Sequence, residues 1–284
     1  MPALIIGSGV ISNNLARFLS KRGVVVKQVG SREVAAGASF QADDGFDLII
    51  FSGFLCRKIS NSLSSLDYNL GLAKNVLRVI DQLHPKRVIF LSTIDIHGNK
   101  SKKGGLATPC YDINCDIELN DYYSLAKYTV ECMLNQELSK RGAGLLIVRC
   151  PGIYGGLYDN SLVFNWFIQA LECGVISVNS SSEISRTFLY WEDLALLCEK
   201  FVKTESVIEN KVCILGSSES RTLVSIAQPI AELTGAKLLA YYEESGRADS
   251  ICINDGGFFA DLSLSYTPFD IALNKFWVLL KNKK

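Results

Sequence analysis

Leu4-Ile5-Ile6-Gly7-Ser8-Gly9-Val10-Ile11-Ser12 reads as an apolar run, a glycine turn and the first residues of a helical pattern. Ala3–Ile6 predicts a strand. Ile11–Arg22, with Leu15, Phe18 and Leu19 at helical spacing, predicts a helix. A strand that turns through glycines into a helix aims backbone N–H groups and a positive helix end at a phosphate. The glycines permit the tight turn and the close approach of a pyrophosphate. Gly7, Gly9, Val10 and Ile11 are therefore expected cofactor contacts. Ser12 stands at the third glycine of G-x-G-x-x-G, a small residue that keeps close packing open.

The alternation continues outward from this turn. Val24–Val29, Leu48–Phe51, Val88–Leu91 and Leu145–Val148 read as further strands. Leu48–Phe51 follows turn-forming Asp43, Asp44 and Gly45, and Leu145–Val148 follows Gly142 and Gly144. Leu66–Leu83 is a long helix with Leu70, Ala73, Val76, Leu77 and Ile80 on one face, and Tyr122–Lys140 is another. Continuous apolar strands separated by amphipathic helices predict an α/β fold: a Rossmann-type, doubly wound parallel sheet. After Pro151 the rhythm weakens. Gly155 and Gly156 break the chain, and Ser180–Ser182 read as a polar loop. Helices are legible at Leu162–Leu171 and, despite Pro229, at Leu223–Leu233. Residues 1–155 are read as the dinucleotide-binding domain. Segment 185–215 returns to it through a strand at Val212–Leu215, and 156–284 is mainly a smaller, C-terminal substrate-binding lobe.

Charge and cysteine usage narrow the function. The 284 residues carry 29 basic and 29 acidic side chains, so no global field favours nucleic acid or an anionic membrane. A small-molecule substrate is expected. Nine cysteines run from Cys56 to Cys252 without C-x-x-C spacing, and His84 and His97 are the only histidines. Reduced thiols in a cytoplasmic protein, with no metal, are the expectation. Ala3–Ile6 runs straight into glycine and lacks the form of a secretory leader. The longest apolar stretch, Leu48–Cys56, is flanked by Asp47 and broken by Ser52 and Gly53, too short for a membrane span.

The end of the second strand bears on cofactor choice. A carboxylate there usually holds the ribose 2′-hydroxyl of NAD. This chain has Gly30-Ser31-Arg32, which supplies donors in place of an acid. Arginine pairs with phosphate, so Ser31 and Arg32 point to NADP(H) over NAD(H), with Glu33 next door as the competing ribose ligand.

The chemistry is read from Tyr123-Ser124-Leu125-Ala126-Lys127. Positions i and i+4 share one helical face, and a lysine cation there favours the tyrosine phenolate. Tyr122 has Ala126 four residues on, so the spacing selects Tyr123. Thr93 ends the strand Val88–Leu91 in the run Leu91-Ser92-Thr93, at a strand end where such sheets bind ligands. Thr93, Tyr123 and Lys127 are the expected catalytic set.

At these residues the chain resembles the extended short-chain dehydrogenases/reductases of the nucleotide-sugar epimerase, dehydratase and reductase group. The likeness runs nearly end to end. Gly7–Ser12 resembles the family's glycine loop, and Asp47-Leu48-Ile49-Ile50-Phe51-Ser52-Gly53 resembles its fourth strand, where small residues pass the cofactor. Asn69-Leu70-Gly71 resembles the helix with a buried asparagine, and Ser92–Gly98 its S-S/T-x-x-x-Y-G segment, with His97 in place of tyrosine. Arg149-Cys150-Pro151-Gly152-Ile153-Tyr154-Gly155 resembles its R-x-x-x-x-Y-G segment, and Arg186-Thr187-Phe188 with Asp193 its R-x-F/Y-x-x-x-x-D segment. The resemblance implies cofactor contacts from Ser52, Gly53, Asn69, Tyr123, Lys127, Pro151 and Ile153. It implies substrate contacts from Thr93 and from Arg186, the latter on a sugar-nucleotide diphosphate. It also allows a homodimer through the helices near Leu66–Leu83 and Tyr122–Lys140. Only about fifteen residues separate Arg32 from Asp47, so the third strand unit is abbreviated.

Three activities stay open. The first is an NADP(H)-dependent reductase of a keto group on a nucleotide-activated sugar, with Tyr123 as acid, Thr93 orienting the oxygen and Lys127 holding the ribose. The second is a redox-neutral epimerase that keeps its cofactor. The third is a dinucleotide-binding sensor or scaffold without turnover. Dehydration is disfavoured, because Ile94 and Asp95 stand where dehydratases carry two acids. No G-x-S-x-G stretch points to a hydrolase. Cys110 and Cys115 are read as incidental thiols, His97 as a loop histidine near the cleft, and Arg149 as a structural partner outside the site.

Overall fold

The computed structural model of the chain describes residues 2–41, 44–56, 59–97, 103–107, 117–156, 161–179, 185–204, 210–216, 219, 221–241, 250–253 and 255–282. Asp43, Gly98, Cys110, Cys115 and Ser180–Ser182, which figure in the sequence reading, lie outside the described residues. The elements in chain order begin with β1 (Ala3–Ile6), α1 (Val10–Lys21), β2 (Val26–Val29), α2 (Ser31–Ala35), β3 (Leu48–Phe51), α3 (Leu63–Leu83) and β4 (Arg87–Thr93). There follow β5 (Lys103–Ala107), α4 (Tyr122–Arg141), β6 (Gly144–Cys150), β7 (Gly152–Tyr154), α5 (Leu162–Cys173), β8 (Val175–Asn179), β9 (Ser185–Arg186) and β10 (Phe188–Tyr190). The rest are α6 (Trp191–Lys203), β11 (Lys211–Ile214), β12 (Arg221–Thr222), α7 (Leu223–Thr234), β13 (Lys237–Tyr241), β14 (Ser250–Ile253), α8 (Phe258–Asp261) and α9 (Phe269–Lys281).

Two compact units make up the chain, one of residues 1–98, 110–150 and 195–214, the other of 99–109, 151–194 and 215–284. In the first, six parallel strands form one sheet in the order β11-β6-β4-β3-β1-β2. The apolar runs form its interior because both faces are covered. Leu4, Ile6, Ile49, Phe51, Val88, Phe90, Leu145 and Ile147 pack with Leu72, Val76 and Ile80 of α3 and Val130 and Leu134 of α4. Alternate residues Ile5, Ile50, Ile89 and Leu146 turn the other way and are equally buried. The strand expected at Val212–Leu215 is β11, which joins this sheet beside β6. In keeping with the short spacing after Arg32, no strand stands between β2 and β3 along the chain among the described residues, and β2 is the sheet edge. From β1 the chain steps out to β2 and then back across β1 to β3. The reversal therefore falls at the carboxyl ends of β1 and β3, the place where open α/β sheets bind ligands.

Helix boundaries follow local chemistry. Ser62 caps α3 by accepting from Ser65 N, and Asp121 caps α4 by accepting from Ser124 N at 2.6 Å. Gly142 closes α4 in the left-handed region at φ 68°, where a side chain would be strained.

The second unit has its own core, built on Val163, Trp166 and Phe167 of α5, Ile226 and Ile230 of α7, and Leu273, Phe276 and Trp277 of α9. Pro229 sits inside α7 without ending it. The buried face through Ile226, Ala227, Ile230 and Ala231 outweighs the missing hydrogen bond to Ser225. The weak rhythm after Pro151 does not reveal α6 and α9. Their apolar positions, Leu194-Leu197-Cys198-Phe201 and Leu273-Phe276-Trp277, do carry the helical period.

Candidate active site

The glycine turn is built from β1 inward. Gly7 has φ 144°, and a Cβ there would lie 2.5 Å from Ser12 Oγ and 2.9 Å from Ser52 Oγ. Those two hydroxyls are 2.8 Å apart, and Ser12 is only 2% exposed. The serine at the third glycine position therefore ties the start of α1 to the end of β3. Gln28, which sequence patterning does not single out, donates to Gly7 O at 2.8 Å and to Asn13 Oδ1 at 2.6 Å, bracing the turn from β2. Gly9 caps α1 without a side-chain hydrogen bond, and a Cβ on it would meet nothing within 4 Å. Space and uncapped helix N–H groups at Val10 and Ile11 fit a pyrophosphate.

Ser31, Gly53 and Gly7 converge. A Cβ on Gly53 would lie 2.0 Å from Ser31 Oγ and 3.0 Å from Gly7 Cα. Arg32 is exposed. Glu33 folds back, accepting from Gly30 N at 3.2 Å, and its Oε1 occupies space 2.9 Å from where a Gly30 Cβ would be. A carboxylate thus stands where a residue-30 side chain would, beside an exposed guanidinium.

Asn69 is buried with both ends of its amide on one residue of the loop after β3. It accepts from Leu55 N at 2.9 Å and donates to Leu55 O at 3.2 Å. This holds Phe54, whose ring packs with Phe51 and Phe90.

The Asp121 cap starts α4 so that Tyr123, Lys127 and Glu131 follow one another at four-residue intervals on one face. Lys127 is 3% exposed and donates to Leu91 O at 2.6 Å, two residues before Thr93. Its Nζ lies 5.8 Å from the Tyr123 ring centroid. Thr93 is buried at the end of β4, and its hydroxyl oxygen accepts from Asp95 N at 3.2 Å, which leaves its O–H as a donor. Burial pushes the Lys127 ammonium down to about 7, with Cys150 and Glu131 acting in the opposite sense. Burial also pushes the Cys150 thiol up to about 12.

Beneath this row lies an ion pair that the sequence reading leaves outside the site. Arg149 and Glu131 are both 0% exposed and joined through Nε at 3.2 Å and Nη2 at 2.7 Å. Ser92 donates to the same carboxylate. His97, read as a loop residue, is buried with Nε2 3.4 Å from Arg149 Nη1.

In the second unit, Pro151 is buried and Ile153 lies on β7, which pairs with β10. Arg186 is paired across the antiparallel ladder with Arg221. Both line a pocket with Phe188, Glu219, Ile226 and Phe269. Arg221 is held over the Phe269 ring at 4.7 Å and by Glu219 at 3.1 Å.

The sequence pattern of the NAD dependent epimerase/dehydratase family matches residues 3–216, three-quarters of the chain. The chain belongs to this family. It is an enzyme of the extended short-chain dehydrogenase/reductase type, whose cofactor is a nicotinamide dinucleotide. Among solved structures, a UDP-glucose 4-epimerase from Thermotoga maritima, determined with UDP-glucose, matches with a TM-score of 0.79 at 16% identity over 100% of both chains. TunA, an NAD-dependent NDP-hexosamine 5,6-dehydratase of tunicamycin biosynthesis, matches at 0.81 and 15% over 100% of this chain and 99% of the other. RMD from Pseudomonas aeruginosa, complexed with NADPH, matches at 0.77 and 12% over 100% of both. At these identities the likeness is one of fold. Comparison with curated protein sequences gave no match. Among the described residues of this epimerase/dehydratase-family chain, no helix is long and apolar enough to cross a membrane.

The buried lysine couples site and stability. Its folded pKa lies below its unfolded value of 10.5, so between about 7 and 10.5 the unfolded chain binds more protons. Stability from this source rises with pH across that window. Lys127→Met is expected to be inactive, yet more stable than wild type at pH near 7, with its advantage shrinking towards pH 10.5. Urea unfolding of both proteins across that range checks this; parallel pH dependences would refute it.

Proposed function

We propose that this enzyme reduces a keto group on a nucleotide-activated sugar, with NADP(H) as the preferred cofactor. The placement of Lys127 and Tyr123 on one helical face, with the lysine bound to β4 two residues before Thr93, carries the reading. The dinucleotide, when bound, supplies the hydride. Tyr123 gives a proton to the carbonyl oxygen, Thr93 donates its O–H to the same oxygen, and Lys127 holds the ribose and sets the charge beside Tyr123. Gly7, Gly9, Val10 and Ile11 hold the pyrophosphate. Ser52, Gly53 and Asn69 shape the floor of the cofactor cleft, and Pro151 and Ile153 serve the nicotinamide end. Arg186 holds the diphosphate of the sugar nucleotide. UDP-glucose and NADPH, named with two of the similar structures, belong to the two ligand classes this reading requires. A ligand copurifying with the chain, identified by mass spectrometry, together with stoichiometric NADPH consumption on a keto-sugar nucleotide, is the test. Redox-neutral turnover would overturn reduction.

Glu33 favours a second reading, a retained NAD and redox-neutral epimerisation, because its carboxylate occupies the side-chain space of residue 30. Two variants divide the cases. If Arg32 holds a 2′-phosphate, Arg32→Ala lowers NADPH affinity by roughly 10- to 150-fold and leaves NADH affinity unchanged. If Glu33 holds the ribose hydroxyls, Glu33→Gln weakens NADH instead. Equal dissociation constants for the two cofactors in wild type would remove the NADP(H) preference.

A further inference from the structure

Lys127 is a buried ammonium whose surroundings are aromatic. Its Nζ lies 3.9 Å from the Phe54 ring centroid, 4.9 Å from that of Phe90 and 5.8 Å from that of Tyr123. One N–H goes to Leu91 O. Glu131, four residues on along the same helix, commits its carboxylate to Arg149 and Ser92. Tyr123 and Cys150 of β6, a buried thiol pushed up to about 12, are the further titratable groups near Lys127. Among the described residues, ring faces and the Leu91 carbonyl stand around this ammonium in place of a dedicated carboxylate.

The Phe54 ring is held from three sides. Its centroid is 5.3 Å from that of Phe51 and 5.6 Å from that of Phe90. The next residue is fixed by the two Asn69 hydrogen bonds to the Leu55 backbone. A ring so placed presents its negative face to the cation, an attraction that grows when water is excluded.

We propose that Phe54 is a positioning residue: with Phe90 and Tyr123 it cages the Lys127 ammonium and keeps it protonated and aimed beside Tyr123, in the role a carboxylate would otherwise fill. Asn69 acts one step further out, as the brace that keeps the ring over the cation. Cage strength then sets the pH below which the acid–base pair carries its positive charge. This rests on reading Tyr123 and Lys127 as the acid–base pair, but the test below reads Lys127 itself and is independent of turnover.

The experiment is a pH titration of full-length protein carrying isotope-labelled lysine, followed by NMR. The Lys127 signal is identified by its loss in Lys127→Met. Phe54→Leu is expected to lower the titration midpoint by about one pH unit. Pentafluorophenylalanine at position 54 keeps the ring's shape and reverses its quadrupole, and is expected to lower the midpoint at least as far. Phe54→Trp is expected to restore or raise it. A packing role alone would lower the melting temperature of the leucine variant and leave the pentafluorophenylalanine midpoint within about 0.2 unit of wild type, and that result overturns the proposal. Should Phe54→Leu fail to fold, the pentafluorophenylalanine and tryptophan proteins decide it.

Discussion

Tyr123→Phe is expected to lower turnover by about 10²- to 10⁴-fold, the range lost when a positioned acid or base is removed. Dinucleotide affinity is expected to change by no more than about tenfold, since one hydrogen bond to the ribose is at stake. The fold should be untouched, because Tyr123 is only partly buried and the Asp121 cap holds the helix start. Measuring both quantities separates the alternatives. Loss of turnover with retained binding places Tyr123 in the chemical step. Full turnover in the variant removes it from the mechanism. Retained binding with no turnover in wild type, on any keto-sugar nucleotide, supports the sensor or scaffold reading instead.

The second large effect is on stability. Arg149→Met leaves the Glu131 carboxylate buried without its cation, and Ser92 alone cannot compensate it. Breaking a fully buried pair from one side costs about 3–5 kcal/mol, because an uncompensated charge remains. Glu131→Gln is expected to cost a similar amount. It leaves the guanidinium beside His97, whose Nε2 can accept a hydrogen bond only while that nitrogen is unprotonated. Replacing both partners together, Glu131→Met with Arg149→Leu, should cost much less than the sum of the singles. Urea denaturation of the three variants checks the pattern. Single changes worth under about 1 kcal/mol, or additive effects, would mean the pair is not the clamp its burial implies.

That clamp has a functional side. Glu131 and Lys127 are one turn apart on α4, Ser92 neighbours Thr93 on β4, and Arg149 neighbours Cys150 on β6. The ion pair therefore fixes the register of the helix carrying Tyr123 and Lys127 against the strand carrying Thr93.

Much of the first unit was legible in the residues alone. Burial on both faces makes a parallel strand continuously apolar, so β1 and β3 begin and end where the runs do. The four-residue interval that puts Tyr123 and Lys127 on one helical face is a property of the α-helix itself, so the sequence alone shows it. The same holds for the glycine turn, since only glycine adopts the backbone at Gly7 at no steric cost. The second unit was less readable. Strands of two to five residues depend on partners far along the chain, which local periodicity does not encode.

What tertiary structure decided is what lies across the sheet from these residues. Ser12 read only as a small residue at the third glycine position until packing set its hydroxyl against Ser52. Glu33 read as a neighbour of the cofactor determinant until a backbone hydrogen bond folded it over Gly30. Phe54 and Glu131 carried no sequence signal of their own role, because the cation cage and the buried ion pair join residues on different elements, 18 positions apart in the ion pair. Spacing along one helix is fixed by covalent geometry, so the sequence determined which tyrosine and lysine share a helical face. The charge, burial and orientation of that lysine come from α4, β4, β6 and the loop after β3 meeting in space, and only the folded chain supplies those.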